Sequence, residues 1–391
     1  MNGQKAGAGL KQVLAALTDH GPASRVELSR RTGLSSSAVS TLTAELIDAG
    51  VVEEDPAPPV SQGRGRPAHR LRVRPPEGLV VGVDLGNTHV RVAATDVGGP
   101  VLAEEVEPLR GADSMSRTLD LTAALVRRVV ASTGRPQAEV RLVALGLPAP
   151  LAHATGTVAD NNILSDWVGR QPGDELAERL AVDVVVENDA NLGALGEHRA
   201  GVGAGSDSLV YVKFSTGIGA GLVLGGRLFR GVGGTAGEVG HVQVEPAGQL
   251  CRCGSRGCLE TVVSLPRLVD ALAPVTERDL DPSGLSSLVA AGHPGAVRVV
   301  TDAGRTVGRA LASLVTVLNP DLLVVGGRWD PVNALLADRI GGAVEEWSQP
   351  SAASQVRVCA ATCGERAEVL GALALACDLV TRREREATMG G

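Results

Sequence analysis

The sequence lacks the features that would send the chain into or across a membrane. No apolar run approaches the ~20 residues of a transmembrane helix, and the first residues, MNGQKAGAGLKQVL, contain no apolar core of a signal peptide. These absences predict a cytoplasmic protein with no membrane partner. The length of 391 residues is enough for two or three domains with a substantial buried core.

Cysteine is scarce, and its placement argues against a disulfide framework. Of the six cysteines, three lie within eight residues of one another, namely Cys251, Cys253 and Cys258. In a cytosolic chain such a cluster is typical of a metal site. The other three are scattered in apolar surroundings and are predicted to be buried structural thiols, namely Cys359, Cys363 and Cys377.

Charge is unevenly distributed along the chain. Residues 1–76 carry ten Lys or Arg against seven Asp or Glu, a balance of +3. Because the whole chain has a net charge of −7, the remaining residues sum to −10. A basic segment on an acidic body suggests that only this segment meets nucleic acid.

The basic segment predicts short helices separated by glycine turns. The first carries apolar residues at helical spacing and ends at Gly21. The second begins at Ser24, which forms a capping-box pattern with Glu27. Val26 and Leu28 are predicted to supply the apolar contacts of this second helix.

A third predicted helix completes the pattern of a helix-turn-helix. Ser35 can cap this helix and Gly50 can end it. Its apolar stripe comprises Val39, Leu42, Leu46 and Ile47. Two helices joined by a short glycine turn have the spacing of a helix-turn-helix, whose second helix enters the major groove of DNA. The helix patterns alone would also fit a three-helix bundle with no DNA role.

A run of arginines after the third helix favours DNA binding. The stretch SQGRGRPAHRLRVRP has no acidic residue and stands where the wing of a winged helix belongs. Its Gly65-Arg66-Pro67 core is extended and thin enough for a minor groove, where the negative potential attracts arginine. The predicted DNA contacts in this stretch are Arg64, Arg66 and Arg70.

The start of the third helix offers only hydroxyl groups to DNA. The residues predicted to be exposed there are Ser36, Ser37, Ser40 and Thr41. Hydroxyls can contact phosphates or bases, but they cannot make the bidentate contacts that discriminate best between base pairs. The wing arginines are therefore expected to supply much of the affinity for a double-stranded operator.

From Leu79 onward, apolar runs alternate with helical patterns, as in an α/β fold. The clearest chemical signal in this part is His241 followed by the cysteine cluster, at spacing H-x9-C-x-C-x4-C. Three thiolates and one imidazole predict a closed tetrahedral Zn²⁺ site, which is structural because no coordination position remains for water.

These segments together resemble the ROK family (repressors, open reading frames and kinases), whose signature is a Gly-Glu-x-Gly-His segment followed by the cysteine cluster. Other segments that fit are LGLPAPL (145–151), NNILSDW (161–167), VENDANLGALGE (186–197), STGIGAGLVLGGRLFRG (215–231) and VVGG (324–327). The resemblance implies a winged helix-turn-helix over residues 1–76. Over residues 77–391 it implies a two-lobed, actin-like ATPase/sugar-kinase (ribonuclease H-like) α/β domain.

The resemblance also implies site residues. It assigns sugar hydroxyls to Asn162, Asn188, Asp189, Glu238, His241 and Glu260. In kinase members, the aspartate at position 189 would be the catalytic base. The histidine could bind zinc through one nitrogen and a sugar hydroxyl through the other. The nucleotide side would comprise Asp84, Gly86, Thr88, Thr216, Gly217 and Gly219.

Two functions remain open at this point. One is a DNA-binding sugar sensor, a repressor of carbohydrate-utilisation genes that acts as a homodimer or homotetramer. The other is an ATP-dependent sugar kinase with an attached DNA-binding head. Kinase members resemble Asp-x-Gly-Gly-Thr in the first loop, whereas this chain has Asn87 at the second glycine and His89 where lysine is frequent. The Asn87 side chain would crowd the phosphates, which counts against ATP and Mg²⁺ and favours the sensor. Neither the effector sugar, nor the sign of its effect, nor the operator follows from the residues.

Overall fold

The computed structural model describes residues 2–55, 69–109, 114–152, 154–159, 165–276 and 280–390. The chain divides into two compact units, Met1–Pro76 and Glu77–Gly391. In the described part of the chain, no helix combines the length and the apolar character needed to cross a bilayer.

The first unit is a three-helix domain with a small antiparallel sheet. Its elements are α1 (Asn2–His20), β1 (Ala23–Ser24), α2 (Arg25–Thr32), α3 (Ser36–Asp48), β2 (Val52–Glu54) and β3 (Arg70–Val73). The strand order is β1-β3-β2, and both pairings are antiparallel. The β2–β3 hairpin directly follows α3, which is the position of a wing. The apolar faces of the three helices and Leu71 of the hairpin form one buried core.

Local signals predicted the ends of the helices correctly. The capping box at the start of α2 is confirmed, since Ser24 and Glu27 satisfy each other's backbone N–H groups. Gly33 ends that helix in the left-handed conformation, and Ser35 caps α3 through the amide of Ala38. A local cap needs only the four residues that form it, so no tertiary information is required.

The predicted apolar face of α2 was half wrong. Leu28 is fully buried, but Val26 is 63% exposed. Two residues that are two positions apart on a helix point about 200° away from each other, so they cannot both face one core.

The second unit contains two mixed sheets. The first comprises β4 (Leu79–Leu85), β5 (His89–Asp96), β6 (Val101–Pro108), β7 (Val140–Leu147) and β10 (Val184–Asn188), in the order β10-β7-β4-β5-β6. The second comprises β11 (Ser208–Phe214), β12 (Ile218–Leu224), β13 (Arg227–Phe229), β14 (Leu322–Gly326) and β15 (Arg357–Ala360), in the order β13-β12-β11-β14-β15. A short pair is formed by β8 (Leu151–Ala152) and β9 (Thr157–Val158).

The two sheets share one connectivity, which the sequence did not show as a repeat. In each, three consecutive strands form an antiparallel meander, and the first strand of the meander pairs on its other side with a parallel strand. Each meander begins with a strand–glycine turn–strand segment. The equivalent turns of the two sheets are the two glycine loops, which contact each other as described below.

Helices cover both sheets. They are α4 (Met115–Ser132), α5 (Pro172–Leu180), α6 (Asp189–Ala200), α7 (Leu259–Val263), α8 (Leu265–Leu272), α9 (Pro282–Ala290), α10 (Pro294–Leu318), α11 (Asp330–Trp347), α12 (Pro350–Ala353) and α13 (Ala367–Gly390). α6 and α13 pack closely, because Gly196 of α6 leaves room for the backbone of Ala367. The apolar side of α13 fills a buried core with β4 and β7.

The scattered cysteines are half-buried rather than fully buried. Burial raises the pKa of all three thiols, that of Cys363 to about 12. A raised pKa keeps a thiol protonated at neutral pH, which makes it a poor nucleophile and accords with a structural role.

Candidate ligand cleft and metal centre

The predicted metal ligands converge. His241 ends a short 3₁₀ turn (Val239–His241), and its Nδ1 lies 3.6 Å from the Cys251 Sγ. The Cys253 and Cys258 Sγ atoms are 3.7 Å apart, and all four ligand atoms lie within 4.8 Å of one another. A tetrahedral ion with metal–sulfur bonds of about 2.3 Å would place its sulfurs roughly 3.8 Å apart. The cluster therefore has the dimensions to hold a metal ion.

The segment that carries these ligands has little regular secondary structure. Between positions 242 and 258 the chain forms only isolated bridges, Gln243 with Cys258 and Leu250 with Arg256. Burial raises the pKa of the Cys258 thiol to about 12, and hydrogen bonds with the neighbouring thiols add to the shift. A buried thiolate therefore needs a cation beside it.

A cleft of about 290 Å³ lies next to this centre. It is bounded by the start of α6, the β11–β12 turn and the 3₁₀ turn at Val239–His241. Its polar lining comprises Asn188, Asp189, Lys213, Ser215, Thr216, Glu238, His241, Arg252, Cys253 and Glu260. Five of the six residues expected to contact a sugar are thus in one cleft, and Asn162 lies outside the described residues.

Asn188 is also a helix cap. Its Oδ1 accepts hydrogen bonds from the amides of Ala190 and Asn191, at 2.9 and 3.2 Å, and its Nδ2 donates to the carbonyl of Ala149 at 3.3 Å. These bonds fix the start of α6 and thereby the position of Asp189. A direct contact of Asn188 with a sugar stays a prediction.

His241 and Glu238 stand on the same turn and face each other. The His241 Nε2 lies 3.6 Å from a carboxylate oxygen of Glu238, which is beyond hydrogen-bond distance. With Nδ1 directed at the cysteines, Nε2 is left for a ligand. Burial raises the pKa of Glu238.

Glu260 closes the metal side of the cleft. Its Oε2 accepts from the Arg252 guanidinium at 2.7 Å and from the amide of Ile218 at 3.4 Å. A Cβ on Gly217 would come within 2.4 Å of the same oxygen, so the glycine loop and the carboxylate are in close contact.

The sequence reasoning missed two residues of the cleft region, Lys213 and Glu368. The Lys213 Nζ lies 2.9 Å from Asp189 Oδ2 and 2.8 Å from Glu368 Oε1. Lys213 is one of only three lysines in the chain, and it interrupts the otherwise apolar strand β11. A lone charge in a buried strand was the available signal, since such a charge needs a partner.

The two glycine loops contact each other through side chains. The Asn87 Nδ2 donates to the Thr216 Oγ1 at 2.9 Å, which links the first loop to the second. His89 pairs with Asp84 at 2.9 Å, and its ring fills the space beside Gly86, where a Cβ would come within 2.5 Å of it.

A further cation reaches the first loop. Arg328 lies within 3.3 Å of the Thr88 hydroxyl and 3.4 Å of the His89 ring. Three of the residues expected to contact a nucleotide, Asp84, Thr88 and Thr216, are therefore paired with other side chains of the protein.

The predicted DNA surface is partly described. Ser36, Ser37, Ser40 and Thr41 are exposed on the first two turns of α3. Arg70 is half-buried and donates to the carbonyl of Pro22, which holds the hairpin to the turn before α2. Arg64 and Arg66 lie outside the described residues.

Comparison with known protein families bears on both units. The model of the ROK family matches residues 80–378, and the model named winged helix-turn-helix DNA-binding matches residues 10–53. The chain belongs to the ROK family. The fold expected from the sequence, a winged helix-turn-helix followed by a sugar-kinase-like α/β domain, is confirmed.

Relatives within the family include both repressors and kinases. A xylose repressor of Caldicellulosiruptor bescii is 26% identical over 93% of this chain and 94% of its own length. A glucokinase of Halalkalibacterium halodurans is 32% identical over 74% of this chain and 92% of its own. A crystal structure of a ROK family transcriptional regulator, a homologue of the E. coli MLC protein, superposes with a TM-score of 0.75 at 27% identity. That match covers 99% of this chain and 98% of the other.

Proposed function

We propose that this chain is a sugar-responsive, DNA-binding transcriptional repressor of carbohydrate-utilisation genes that works in the cytoplasm. The observation that carries the proposal is the presence, in one chain, of a winged helix-turn-helix and a polar cleft beside a metal centre. The xylose repressor aligned above spans both parts, whereas the glucokinase covers only 74% of the chain.

The winged helix-turn-helix of residues 1–76 binds the operator through two elements. The hydroxyls at the start of α3 contact phosphates or base edges in the major groove, and the wing arginines Arg64 and Arg66 lie in the minor groove. An arginine bound in the minor groove displaces counterions from the DNA, so its loss lowers the salt dependence of binding as well as the affinity. Replacing both by alanine should weaken operator binding, and unchanged affinity would contradict this assignment.

The metal centre holds structural Zn²⁺ through His241, Cys251, Cys253 and Cys258. The donor set of three thiols and one imidazole, with the sulfur spacing given above, fits this ion. The bound ion cross-links a segment with little secondary structure and fixes the ring of His241, so that Nε2 faces the cleft.

The cleft binds a small sugar. Asp189, Glu238 and Glu260 offer carboxylate acceptors, and His241 and Arg252 offer nitrogen groups. A sugar ring presents a fixed array of hydroxyls, each both donor and acceptor, which such a mixed set can satisfy in pairs.

Sugar binding changes DNA affinity through a homodimer or homotetramer. Closure of the cleft around the sugar alters the spacing of the paired recognition helices, which must match half-sites about one DNA turn apart. The coupling requires the sugar to bind the DNA-free arrangement more tightly, since only a difference in affinity moves the equilibrium.

The alternative is an ATP-dependent sugar kinase with a DNA-binding head, favoured by the glucokinase relative. An ADP-release assay across the same sugars separates the two. Turnover with one sugar, at a rate comparable to a glucokinase measured alongside, would support the kinase.

The deciding experiment measures binding of the purified protein to DNA from upstream of its own gene. Salt is fixed, and D-xylose, D-glucose and N-acetylglucosamine are compared with no sugar. We expect one sugar to weaken binding at least tenfold, about 1.4 kcal/mol of coupling. Strengthening of the same size would make the sugar a corepressor, and DNA binding without any sugar effect would contradict the sensor.

A further inference from the structure

We propose that Lys213 is a built-in cation that takes the place of a divalent metal ion in the cleft, so that the domain binds its sugar without metal or nucleotide. The inference deepens the proposed function and rests on it for the sugar. Its test, however, uses neither sugar nor DNA.

The ammonium group of Lys213 bridges two largely buried carboxylates. Lys213 is 14% exposed, and its Nζ bridges Asp189 at 2.9 Å and Glu368 at 2.8 Å, whose side chains are 15% and 6% exposed. The two carboxylates come from the starts of α6 and α13, so the lysine joins three separate elements. A compact ammonium with three donors suits such a site better than the planar guanidinium that this chain uses almost everywhere else.

The carboxylates around Lys213 keep it charged. Burial disfavours the ammonium, but the charges of Asp189 and Glu368 outweigh it and hold the pKa of Lys213 well above its usual range. The cation is therefore permanent at any physiological pH. A divalent ion held by the same carboxylates would lie beside this fixed positive charge in a poorly solvated site, where repulsion is strong.

A third carboxylate belongs to the same cluster. Asp84 is 2% exposed, and only one of its oxygens is paired, with His89; the other, Oδ1, is buried with no hydrogen-bond partner. Burial alone would raise the pKa of Asp84, but the hydrogen bond from His89 and the charge of Lys213 lower it. Asp84 therefore stays ionised and relies on the lysine for part of its compensation.

The two glycine loops beside this cluster are joined to each other. The hydrogen bond between Asn87 and Thr216 joins the two glycine loops at 2.9 Å. Phosphates bound between these loops would have to compete with this bond. The ammonium of Lys213 holds Asp189 as an ion pair, which makes this lysine a positioning residue for the sugar-facing carboxylate.

The arrangement predicts what happens without the lysine. Replacing Lys213 by alanine leaves Asp189 and Glu368 without the cation that bridges them, beside the buried carboxylate of Asp84. At alkaline pH they are not neutralised by protons, and a divalent ion becomes the available compensation.

The test is Mn²⁺ binding to the zinc-loaded, full-length protein at about pH 8, followed by the electron paramagnetic resonance signal of free Mn²⁺. Lys213→Ala is compared with the wild type and with Lys213→Arg, the matched variant that keeps the charge. We expect Lys213→Ala to bind one equivalent of Mn²⁺ at least about tenfold more tightly than the other two. Adding Asp189→Asn to that variant should abolish the gain.

Two results would overturn the proposal. In the first, the wild-type protein binds one equivalent of Mn²⁺ and Asp189→Asn abolishes that binding. In the second, the wild type and Lys213→Ala bind Mn²⁺ equally tightly. If Lys213→Ala folds poorly, Mn²⁺ should raise its melting temperature and not that of the wild type, and no rise would equally refute the idea. A missing sugar response would leave these outcomes unchanged, so failure of the proposed function is distinguishable.

Discussion

The close approach of two backbones beneath the cleft provides a sharp test of how the sugar-facing groups are positioned. Gly240 lies between Glu238 and His241, in the turn that packs on the start of β12. A Cβ at this position would come within 2.2 Å of the Ile218 carbonyl oxygen, whereas ordinary contacts begin at 3.4 Å. Gly240→Ala must therefore move the turn away from β12 by about 1 Å.

A shift of that size is decisive for hydrogen bonds from this turn. A bond of about 2.9 Å that lengthens by about 1 Å is no longer a hydrogen bond. Bonds to charged groups contribute about 1.5–3 kcal/mol each, so losing one weakens sugar binding by roughly 10- to 150-fold. The zinc content should stay near one equivalent, because the three cysteine ligands lie outside the turn that moves.

Isothermal titration calorimetry measures the effect, with the monosaccharide that the DNA-binding panel identifies. The matched control is Gly342→Ala, since Gly342 is an exposed glycine of α11 with no atom within 4 Å of an added Cβ. We expect the control to bind the sugar normally. A Gly240→Ala protein that retains zinc and binds the sugar as tightly as the wild type would refute the packing argument.

Three further predictions follow from described contacts. Cys258→Ser should lose the zinc equivalent, as measured by atomic absorption, together with the sugar response, while Cys377→Ser keeps both; a zinc-free protein with a normal response would contradict the role of the metal. Ser24→Ala should destabilise the start of α2 by about 1 kcal/mol, seen as roughly fivefold faster exchange of the Glu27 amide hydrogen; an unchanged rate would show the cap to be unimportant. Burial lowers the pKa of His198 below 6.5, so the unfolded chain binds a proton that the folded chain does not, and stability falls as the pH drops through 6.5 toward the lowered value. His198→Gln should reduce the slope of the unfolding free energy in that window, and an identical slope would contradict this.

The sequence was informative where the interacting residues lie close together along the chain. The capping box of α2 and the cluster around His241 each lie within a few residues or one short segment, and the structure has both as expected. Val26 was misplaced because hydrophobicity alone does not say which side of a helix a residue occupies. Periodicity around Leu28 would have corrected it.

Contacts between distant elements were beyond such reasoning. Lys213 and Glu368 are separated by 155 positions and meet only because β11 and α13 converge on the start of α6. The role of Asn188 as a helix cap likewise depends on where β10 ends. The shared connectivity of the two sheets left no repeat in the residues, since a backbone pairing pattern tolerates almost any apolar side chains.

The placement of α13 has a consequence for how the protein is made. Synthesis runs from the head toward α13, so the winged domain emerges from the ribosome long before the helix that supplies Glu368 and part of the core under β4 and β7. A polypeptide that ends before Ala367 would contain the whole winged helix-turn-helix domain. Its second unit would lack Glu368 and the part of the core that α13 supplies. Nonsense mutations late in the gene should therefore produce either rapidly degraded fragments or fragments that repress transcription regardless of the sugar present.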